Sequence, residues 1–179
     1  HQKSLELVNV LGLTGAARQG LQDLATTFDS IGNYDGVISC YEQSLKLAQE
    51  TGDEEGQVDL LHNLGLACYH LSDYETAIEY QGRSLEIARA SDNRSGILQA
   101  MIALSNSRLA LGEVDEALEN LKEGLHLARG LGDHRQEGNA LGSLGLIHDE
   151  LGEYQTALNY FQQSLSIAQE IGHSQGEAR

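Results

Sequence analysis

Histidines and neighbouring carboxylates are the residues of this sequence that could bind a metal, but their spacing does not suit a metal site. His148, Asp149 and Glu150 are consecutive, so on a helix their side chains point in different directions and cannot converge on one ion. His62 and His70 are eight residues apart and could share one helix face, but no third ligand stands at metal-site spacing. We therefore expect no metal, no cofactor and no catalytic role for this chain.

Two cysteines and one glycosylation sequon could carry covalent chemistry. Cys40 and Cys68 lie ~12 residues before and ~16 residues after a turn near residue 52, so at 1.5 Å per helical residue their heights differ by only ~6 Å. A disulfide is conceivable, but we favour a buried free thiol. The sequon Asn93-Arg94-Ser95 follows no secretory signal, so we interpret it as an unmodified turn.

The composition of the 179 residues indicates a helical protein. The chain has no proline, no tryptophan and only nine aromatic residues, whereas β-sandwich cores rely on aromatic and β-branched residues. Eleven basic residues face 27 acidic ones, giving a net charge of −16, which disfavours nucleic acid and anionic membranes as partners. No apolar stretch reaches the ~20 residues of a membrane-spanning helix, and we expect a cytoplasmic location.

The sequence repeats itself with a period of 40 residues. Two leucine columns and one alanine column recur at this spacing: Leu24, Leu64, Leu104 and Leu144; Leu45, Leu85, Leu125 and Leu165; Ala48, Ala88, Ala128 and Ala168. Such self-similarity is the signature of a repeat protein. Within each copy, apolar residues at steps of three and four predict two helices of roughly 16–18 residues.

Small residues mark the turns and the helix contacts. The two turn columns are Gly32, Ser72, Gly112 and Gly152, and Gly52, Asp92, Gly132 and Gly172. Glycine past a helix end adopts the left-handed conformation that closes it, and a neighbouring aspartate can cap the next helix. Three further columns hold Ala25, Gly65, Ser105 and Gly145; Val37, Ala77, Ala117 and Ala157; and Ser44, Ser84, Gly124 and Ser164. They predict close packing of antiparallel helices.

These columns resemble the tetratricopeptide repeat (TPR). The fourth copy matches the family pattern at Leu141, Leu144-Gly145, Ala157 and Phe161, and the second at Leu61, Leu64-Gly65 and Ala77. The usual copy has 34 residues and ends in proline, so the 40-residue copies resemble a longer branch that includes Leu-Gly-Asn-type scaffolds and bacterial TPR sensor arms. The resemblance implies an all-α fold, a right-handed α-solenoid of stacked helix-turn-helix repeats.

Alignment of the copies predicts a single TPR array over residues 1–179. Four repeats span residues 14–53, 54–93, 94–133 and 134–173. Residues 1–13 align with a second helix only, and residues 174–179 with the start of a truncated repeat. With no initial methionine, we expect a piece of a longer protein. Apolar faces left at both ends would favour end-to-end self-association of this fragment.

The resemblance also implies a concave groove formed by the first helix of each repeat. Carried over by column, the expected protein-binding residues are Gln22, Asp23, Asp59, His62, Asn63, Leu66, Tyr69, Gln99, Ile102, Asn106, Leu109, Asn139, Leu146 and Asp149. Five of these, Leu66, Tyr69, Ile102, Leu109 and Leu146, predict an apolar strip. Many longer-repeat relatives keep an asparagine before Leu-Gly, but here only Asn63 does, which argues against a ladder of asparagines.

We therefore predict a protein-protein interaction scaffold that is not an enzyme and that binds a peptide or protein segment in this groove. Asp23, Asp59 and Asp149 would rim the apolar strip, so a partner with hydrophobic anchors and basic flanks would fit it. The alternative is a regulatory or sensor arm of a larger multidomain signalling protein.

Overall fold

Eight α-helices and no strand make up the residues that the computed structural model describes, which are 2–177 for the backbone and 15–172 for the side chains. The helices are α1 Gln2–Ser30, α2 Tyr34–Thr51, α3 Glu54–His70, α4 Tyr74–Ala90, α5 Arg94–Ala110, α6 Val114–Leu131, α7 His134–Glu150 and α8 Tyr154–Glu177. The predicted all-α fold is confirmed. Among the described residues, none of these helices combines the length and the apolarity that crossing a membrane requires.

The chain divides into two compact units, His1–Gly96 and Ile97–Arg179, with the boundary inside α5. In the first unit α1 packs on α2, α2 on α3, and α3 on α4. In the second unit α6 packs on α7, and α7 on α8. Consecutive helices therefore pair within each unit, as a helix-hairpin repeat requires.

Left-handed residues close the turns between the helices. Five glycines adopt positive φ there, and at two equivalent positions Ser72 and Asp92 adopt φ of 61° and 51°. Serine and aspartate carry a Cβ, so each of these two turns costs roughly 1–2 kcal/mol more than a relaxed backbone. The predicted caps are also present, because five side-chain oxygens accept a hydrogen bond from a backbone N–H three residues later. These cap residues are Asn33, Asp53, Asp73, Asn93 and Asp133.

The first and last helices differ from the expected pattern. We predicted a break between residues 13 and 14 and a turn at Gly172, but α1 continues from Gln2 to Ser30 and α8 from Tyr154 to Glu177. A chain reversal gives up helical hydrogen bonds, and packing of the next helix offsets that loss. No described helix precedes α1 or follows α8 to provide such packing.

The small-residue columns bring the two helices of a hairpin together. A Cβ added to Gly65 of α3 would lie 2.6 Å from Cγ of Gln81 in α4, and 3.2 Å from the Ala77 carbonyl oxygen. A Cβ added to Gly145 of α7 would lie 2.6 Å from the Phe161 ring of α8. These distances are shorter than van der Waals contact, so neither position has room for a larger residue.

The serine column adds the same hydrogen bond to both of these hairpins. The Ser84 hydroxyl donates to the Val58 carbonyl oxygen at 2.9 Å, and the Ser164 hydroxyl donates to the Gly138 carbonyl oxygen at 2.9 Å. Each bond joins residues 26 apart in sequence. A polar anchor therefore fixes the register of α4 on α3 and of α8 on α7.

The leucine columns build a core in each unit. In the first unit Leu45 and Ala48 of α2 pack with Leu60, Leu61 and Leu64 of α3. The core of the second unit contains Leu98, Ile102, Ala117, Leu121, Leu125, Ala128, Ala140, Leu141, Leu144 and Ile147. Burial of these side chains is the main stabilising contribution to each unit.

Two leucines of the same columns lie on surfaces that no described helix covers. Leu165 of α8 is 58% exposed, although its counterpart Leu45 in α2 is 6% exposed. Leu24 of α1 is 45% exposed, although its counterpart Leu64 in α3 is fully buried. Because Leu45 and Leu64 belong to one core cluster, Leu165 and Leu24 correspond to the two halves of an equivalent contact. Neither has its partner among the residues whose side chains the structure describes.

We predict that Gly65→Ala destabilises the protein by about 1–3 kcal/mol, because the added methyl group overlaps the buried Gln81 side chain. Gly145→Ala should cost less, because the Phe161 ring lies at the surface and can turn away. Gly82→Ala in α4 is the matched control. Nothing lies within 4 Å of its added Cβ, so it should stabilise the helix by about 0.5–1 kcal/mol. Urea denaturation measures the free energy of unfolding of all three variants. A Gly65→Ala variant at least as stable as the wild type would disprove the close contact.

We also predict head-to-tail association, in which Leu165 of one copy packs against Leu24 of another. High salt should promote it, because the net charge of −16 opposes contact at low salt. Leu165→Glu should abolish it, whereas Leu111→Glu, in a turn, makes the same charge change and should not. Light scattering across a concentration series tests this. A monomeric mass for the wild type at millimolar concentration in high salt would contradict it. The side chains of Leu5, Leu7, Val8 and Leu11, also expected at this contact, lie outside the described residues.

Candidate functional site

The predicted site residues of the first unit form a stripe along α3 beside two residues of α1. Asp59 and Leu66 are exposed, and His62, Asn63 and Tyr69 are half-buried. Their spacing of three and four residues places them on one side of the helix. The other predicted residues of this unit, Gln22 and Asp23, are exposed on α1, where the Gln19 amide donates to the Asp23 carboxylate at 2.9 Å.

Titration behaviour differs along this stripe of α3. Partial burial, together with the charges of Glu55 and Asp53, raises the pKa of Asp59. Burial lowers the pKa of His62, and its Nδ1 atom has no hydrogen-bond partner within the described part of the chain. At neutral pH the stripe therefore combines a carboxylate with an uncharged imidazole.

Aromatic rings cluster where α3 ends. The Tyr34 and His70 rings are stacked, with centroids 4.9 Å apart and planes 17° apart. The Tyr69 ring meets His70 edge-on, with centroids 6.1 Å apart. It also lies against the Tyr74 ring, with centroids 5.4 Å apart and planes tilted by 58°. Offset-stacked and edge-on pairs hold each ring in a defined orientation, so this end of α3 presents a preformed aromatic surface.

A cavity of about 160 Å³ opens beside this cluster, between α1, α2 and α3. Its lining consists of Asp29, Tyr34, Val37, Tyr41, Asn63, Leu66, Ala67 and His70. Asn63 and Leu66 belong to the predicted set, whereas Tyr34, Val37 and Tyr41 lie on a second helix, from which no site residue was predicted. The signal in the sequence was Tyr41, whose column otherwise holds Gln81, Leu121 and Phe161.

The second unit presents a weaker apolar surface than we expected. Ile102 was predicted to face the groove, but it is 6% exposed and belongs to the core of this unit, so that prediction is wrong. Ile102 shares that core with Leu98 of α5 and with Leu121 and Leu125 of α6. A Cβ added to the facing Gly124 would make only ordinary van der Waals contact with Ile102, at 3.6 Å. Leu109 also packs against this core, which leaves Leu146 as the exposed apolar member of the predicted set in this unit.

The polar members of the predicted set in the second unit lie on α5 and α7. Gln99 is half-buried, while Asn139 and Asp149 are exposed. The Asn106 side-chain oxygen accepts a hydrogen bond of 2.9 Å from the Ser143 hydroxyl, and the Asn139 amide donates to Gln136 at 3.1 Å. The bond to Asn106 joins α5 to α7, so that side chain is already engaged within the protein.

The histidine and carboxylate group near the end of α7 is engaged in local contacts. Nδ1 of His148 lies 2.6 Å from a carboxylate oxygen of Glu153, and its ring stacks on Tyr160 with centroids 5.3 Å apart. Among the described residues, no three His, Cys, Asp or Glu side chains are placed to hold a metal ion. His148 therefore links the start of α8 to the end of α7.

Both cysteines are buried free thiols. Burial, with the charges of Asp73 and Glu42, raises the pKa of Cys68 to about 11, and burial also raises the pKa of Cys40. Thiols with raised pKa values carry little of the reactive thiolate at neutral pH. The sequon asparagine, Asn93, caps α5 by accepting a hydrogen bond from the Gly96 N–H at 2.9 Å, so its side chain has a structural role.

One catalytic motif that the sequence argument overlooked occurs near the C-terminus. Gly172-His173-Ser174-Gln175-Gly176 fits the GxSxG pattern of serine hydrolases. That pattern places the serine on a sharp strand-to-helix turn. Residues 172–176 lie within the continuous helix α8, and no strand precedes it in the described chain. The backbone here therefore lacks the elbow that such a nucleophile needs.

Solved structures share this fold. BtubC from P. vanneervenii has a TM-score of 0.74 at 23% identity, covering 89% of this chain and 65% of its own. The apo form of RapI has a TM-score of 0.80 at 18% identity, covering 91% and 60%. The Rap conjugation gene regulator of the plasmid pLS20, solved in complex with the Phr* peptide, has a TM-score of 0.72 at 20% identity, covering 80% and 40%. The chain thus spans less than two thirds of each.

Family comparison agrees with the repeat pattern. No curated protein sequence matches the chain significantly. A profile described as "Tetratricopeptide repeat" matches residues 56–129 and 97–170, and a second profile with the same description matches residues 21–55. Because these matches cover well over half of the sequence and the structure has paired helices in the matched region, the chain belongs to the tetratricopeptide-repeat family.

Proposed function

We propose that this chain is a protein-protein interaction scaffold that binds a peptide or protein segment on the exposed side of its first helices. The observation that carries the proposal is the division of α3 into two sides. Leu60, Leu61 and Leu64 are buried in the core of the first unit, whereas Leu66 stays exposed and Tyr69 is half-buried. A helix that keeps apolar side chains on its outer side offers a contact for a partner.

The polar residues of α3 suit an extended partner. Asn63 and Asp59 stand one helical turn apart on the stripe that carries Leu66. An asparagine side chain both donates and accepts hydrogen bonds, so it can pair with the backbone of a peptide. Apolar anchors beside such a side chain are the usual means by which grooves recognise short segments.

Two structures of this fold support a peptide as the class of partner. The Rap conjugation gene regulator of the plasmid pLS20 was solved with the Phr* peptide, and a Rap protein, 20% identical to this chain, was solved with Competence and Sporulation Factor. At this level of identity the fold alone is shared, so the peptides themselves are not carried over. What the fold offers this chain is a series of paired helices on which a segment can lie.

The charge of the chain favours a partner with basic residues. Asp23 and Asp59 are exposed in the first unit and Asp149 in the second, within a chain of net charge −16. Complementary charge speeds association and selects among partners more than it increases affinity. Lysine or arginine beside the hydrophobic anchors of a peptide would meet these carboxylates.

A regulatory arm of a larger protein is the second candidate. The chain spans 65% of BtubC and 60% of RapI, so the whole protein can contain further parts. In that case the same exposed side of α3 would bind a domain of the same protein. Sequence on either side of residues 1–179 separates this candidate from a free-standing scaffold.

We predict that Leu66→Ala combined with Tyr69→Ala weakens peptide binding at least tenfold, which corresponds to about 1.4 kcal/mol. The reason is the loss of the two apolar contacts that α3 presents. Peptides selected from a random phage-displayed library against the wild type are the probes, and fluorescence anisotropy measures their affinity.

The control is Leu71→Ala, which truncates a leucine of similar exposure in the turn after α3. Its affinity for the selected peptides should equal that of the wild type, and circular dichroism should show an intact fold for all variants. If the double variant binds as tightly as the wild type, or if Leu71→Ala weakens binding equally, the proposed face is wrong.

A further inference from the structure

We propose that the cavity between α1, α2 and α3 binds the guanidinium group of an arginine side chain from the partner. This inference rests on the proposed function, because it names one anchor of the bound segment. The cavity lies entirely within the first unit and shares Asn63 and Leu66 with the exposed stripe of α3. A segment lying along that stripe would therefore pass over the cavity opening.

The size of the cavity suits one side-chain head group. Its volume is about 160 Å³, whereas one water molecule needs only roughly 10–15 Å³ of such space. Val37, Leu66 and Ala67 provide apolar walls. Apolar walls suit the aliphatic stem of a long basic side chain, whose charged end then reaches polar atoms.

Three polar side chains of the cavity form no hydrogen bond within the described part of the chain. Asp29, Asn63 and Tyr41 line it, and no side-chain hydrogen bond joins them to other groups in the described part of the chain. The carboxylate of Asp29 accepts hydrogen bonds, and the other two can accept as well. Guanidinium has five N–H donors in a fixed plane, so it can satisfy several acceptors around one cavity at once.

Electrostatics favour a cation here. Among the described residues that line the cavity, Asp29 is the only acidic one, and none is a lysine or an arginine. Burial and the negative charge of Asp29 raise the pKa of Tyr41, so at neutral pH this phenol is protonated and adds no charge. An anionic ligand would meet an unpaired carboxylate, and a metal ion would lack a set of ligands among the described residues.

The aromatic rings distinguish arginine from lysine. Tyr34 and His70 line the cavity as a stacked pair, and Tyr41 contributes a third ring. A planar guanidinium group stacks on aromatic faces and is less strongly hydrated than an ammonium group. Removing a guanidinium group from water into a cavity with apolar walls therefore costs less free energy than removing an ammonium group. Cation–π attraction to the rings adds to the contact.

The probes are N-acetyl-arginine amide, N-acetyl-lysine amide and N-acetyl-citrulline amide, titrated into the whole chain and followed by NMR chemical shifts. The arginine compound should bind saturably in the millimolar range and shift the signals of residues around Tyr41 and Asn63. The lysine compound should bind more weakly. Citrulline, which has the same shape as arginine without the charge, should not bind measurably.

Asp29→Asn should weaken arginine binding about tenfold or more, the loss expected when a charge-assisted hydrogen bond is removed. Asp35→Asn is the matched control. It makes the same charge change at an exposed position of α2 that does not line the cavity, and it should leave binding unchanged. Asp29 is itself exposed, so its substitution should preserve the fold, which a thermal melt verifies.

Any of these results would overturn the proposal: failure of arginine to bind, citrulline or lysine binding as tightly as arginine, equal weakening by Asp29→Asn and Asp35→Asn, or shifts confined to residues outside the cavity. The scaffold proposal is tested separately by Tyr69→Ala, since Tyr69 does not line the cavity. If Tyr69→Ala weakens binding of the selected peptides while arginine fails to bind, the cavity proposal alone falls.

Discussion

Close contact between the two helices of a hairpin is the constraint on which the other features of this protein depend. Gly65 against Gln81 and Gly145 against Phe161 bring α3 to α4 and α7 to α8. That approach places the Ser84 and Ser164 hydroxyls within hydrogen-bond distance of carbonyl oxygens on the facing helix. One side of α3 and one side of α7 are thereby committed to packing, and the other side of each stays exposed, at Leu66 and at Leu146.

The sequence predicted most of the fold because each local signal agreed with the repeat. The same helix hairpins were indicated by the glycine turns, by the aspartate and asparagine caps, and by the leucine columns. A fold can be predicted from sequence when such independent signals agree. The prediction failed at Gly172, where the glycine stays helical. A glycine permits a left-handed turn but does not impose one. Whether the chain turns or the helix continues depends on whether a following helix packs against it.

The candidate site was less predictable than the fold. Ile102 occupies a column that resemblance assigns to the groove, but its side chain packs in the core of the second unit with Leu98 and Leu121. The cavity depends on Tyr34 and Tyr41 from a second helix, and a column rule restricted to first helices cannot include them. Column position identifies which residues are equivalent, while the volume of neighbouring side chains determines whether equivalent residues are exposed.

The short sequence separation between contacting helices also has a consequence for the speed of folding. Side-chain hydrogen bonds between helices join residues that are close in sequence, such as Tyr80 and Glu42, which are 38 residues apart, and Ser143 and Asn106, which are 37 apart. Closing short loops costs little chain entropy, and proteins dominated by such local contacts fold fastest among small domains. A hairpin such as α3–α4 can therefore form first and serve as the surface on which α2 docks, without waiting for distant parts of the chain to meet.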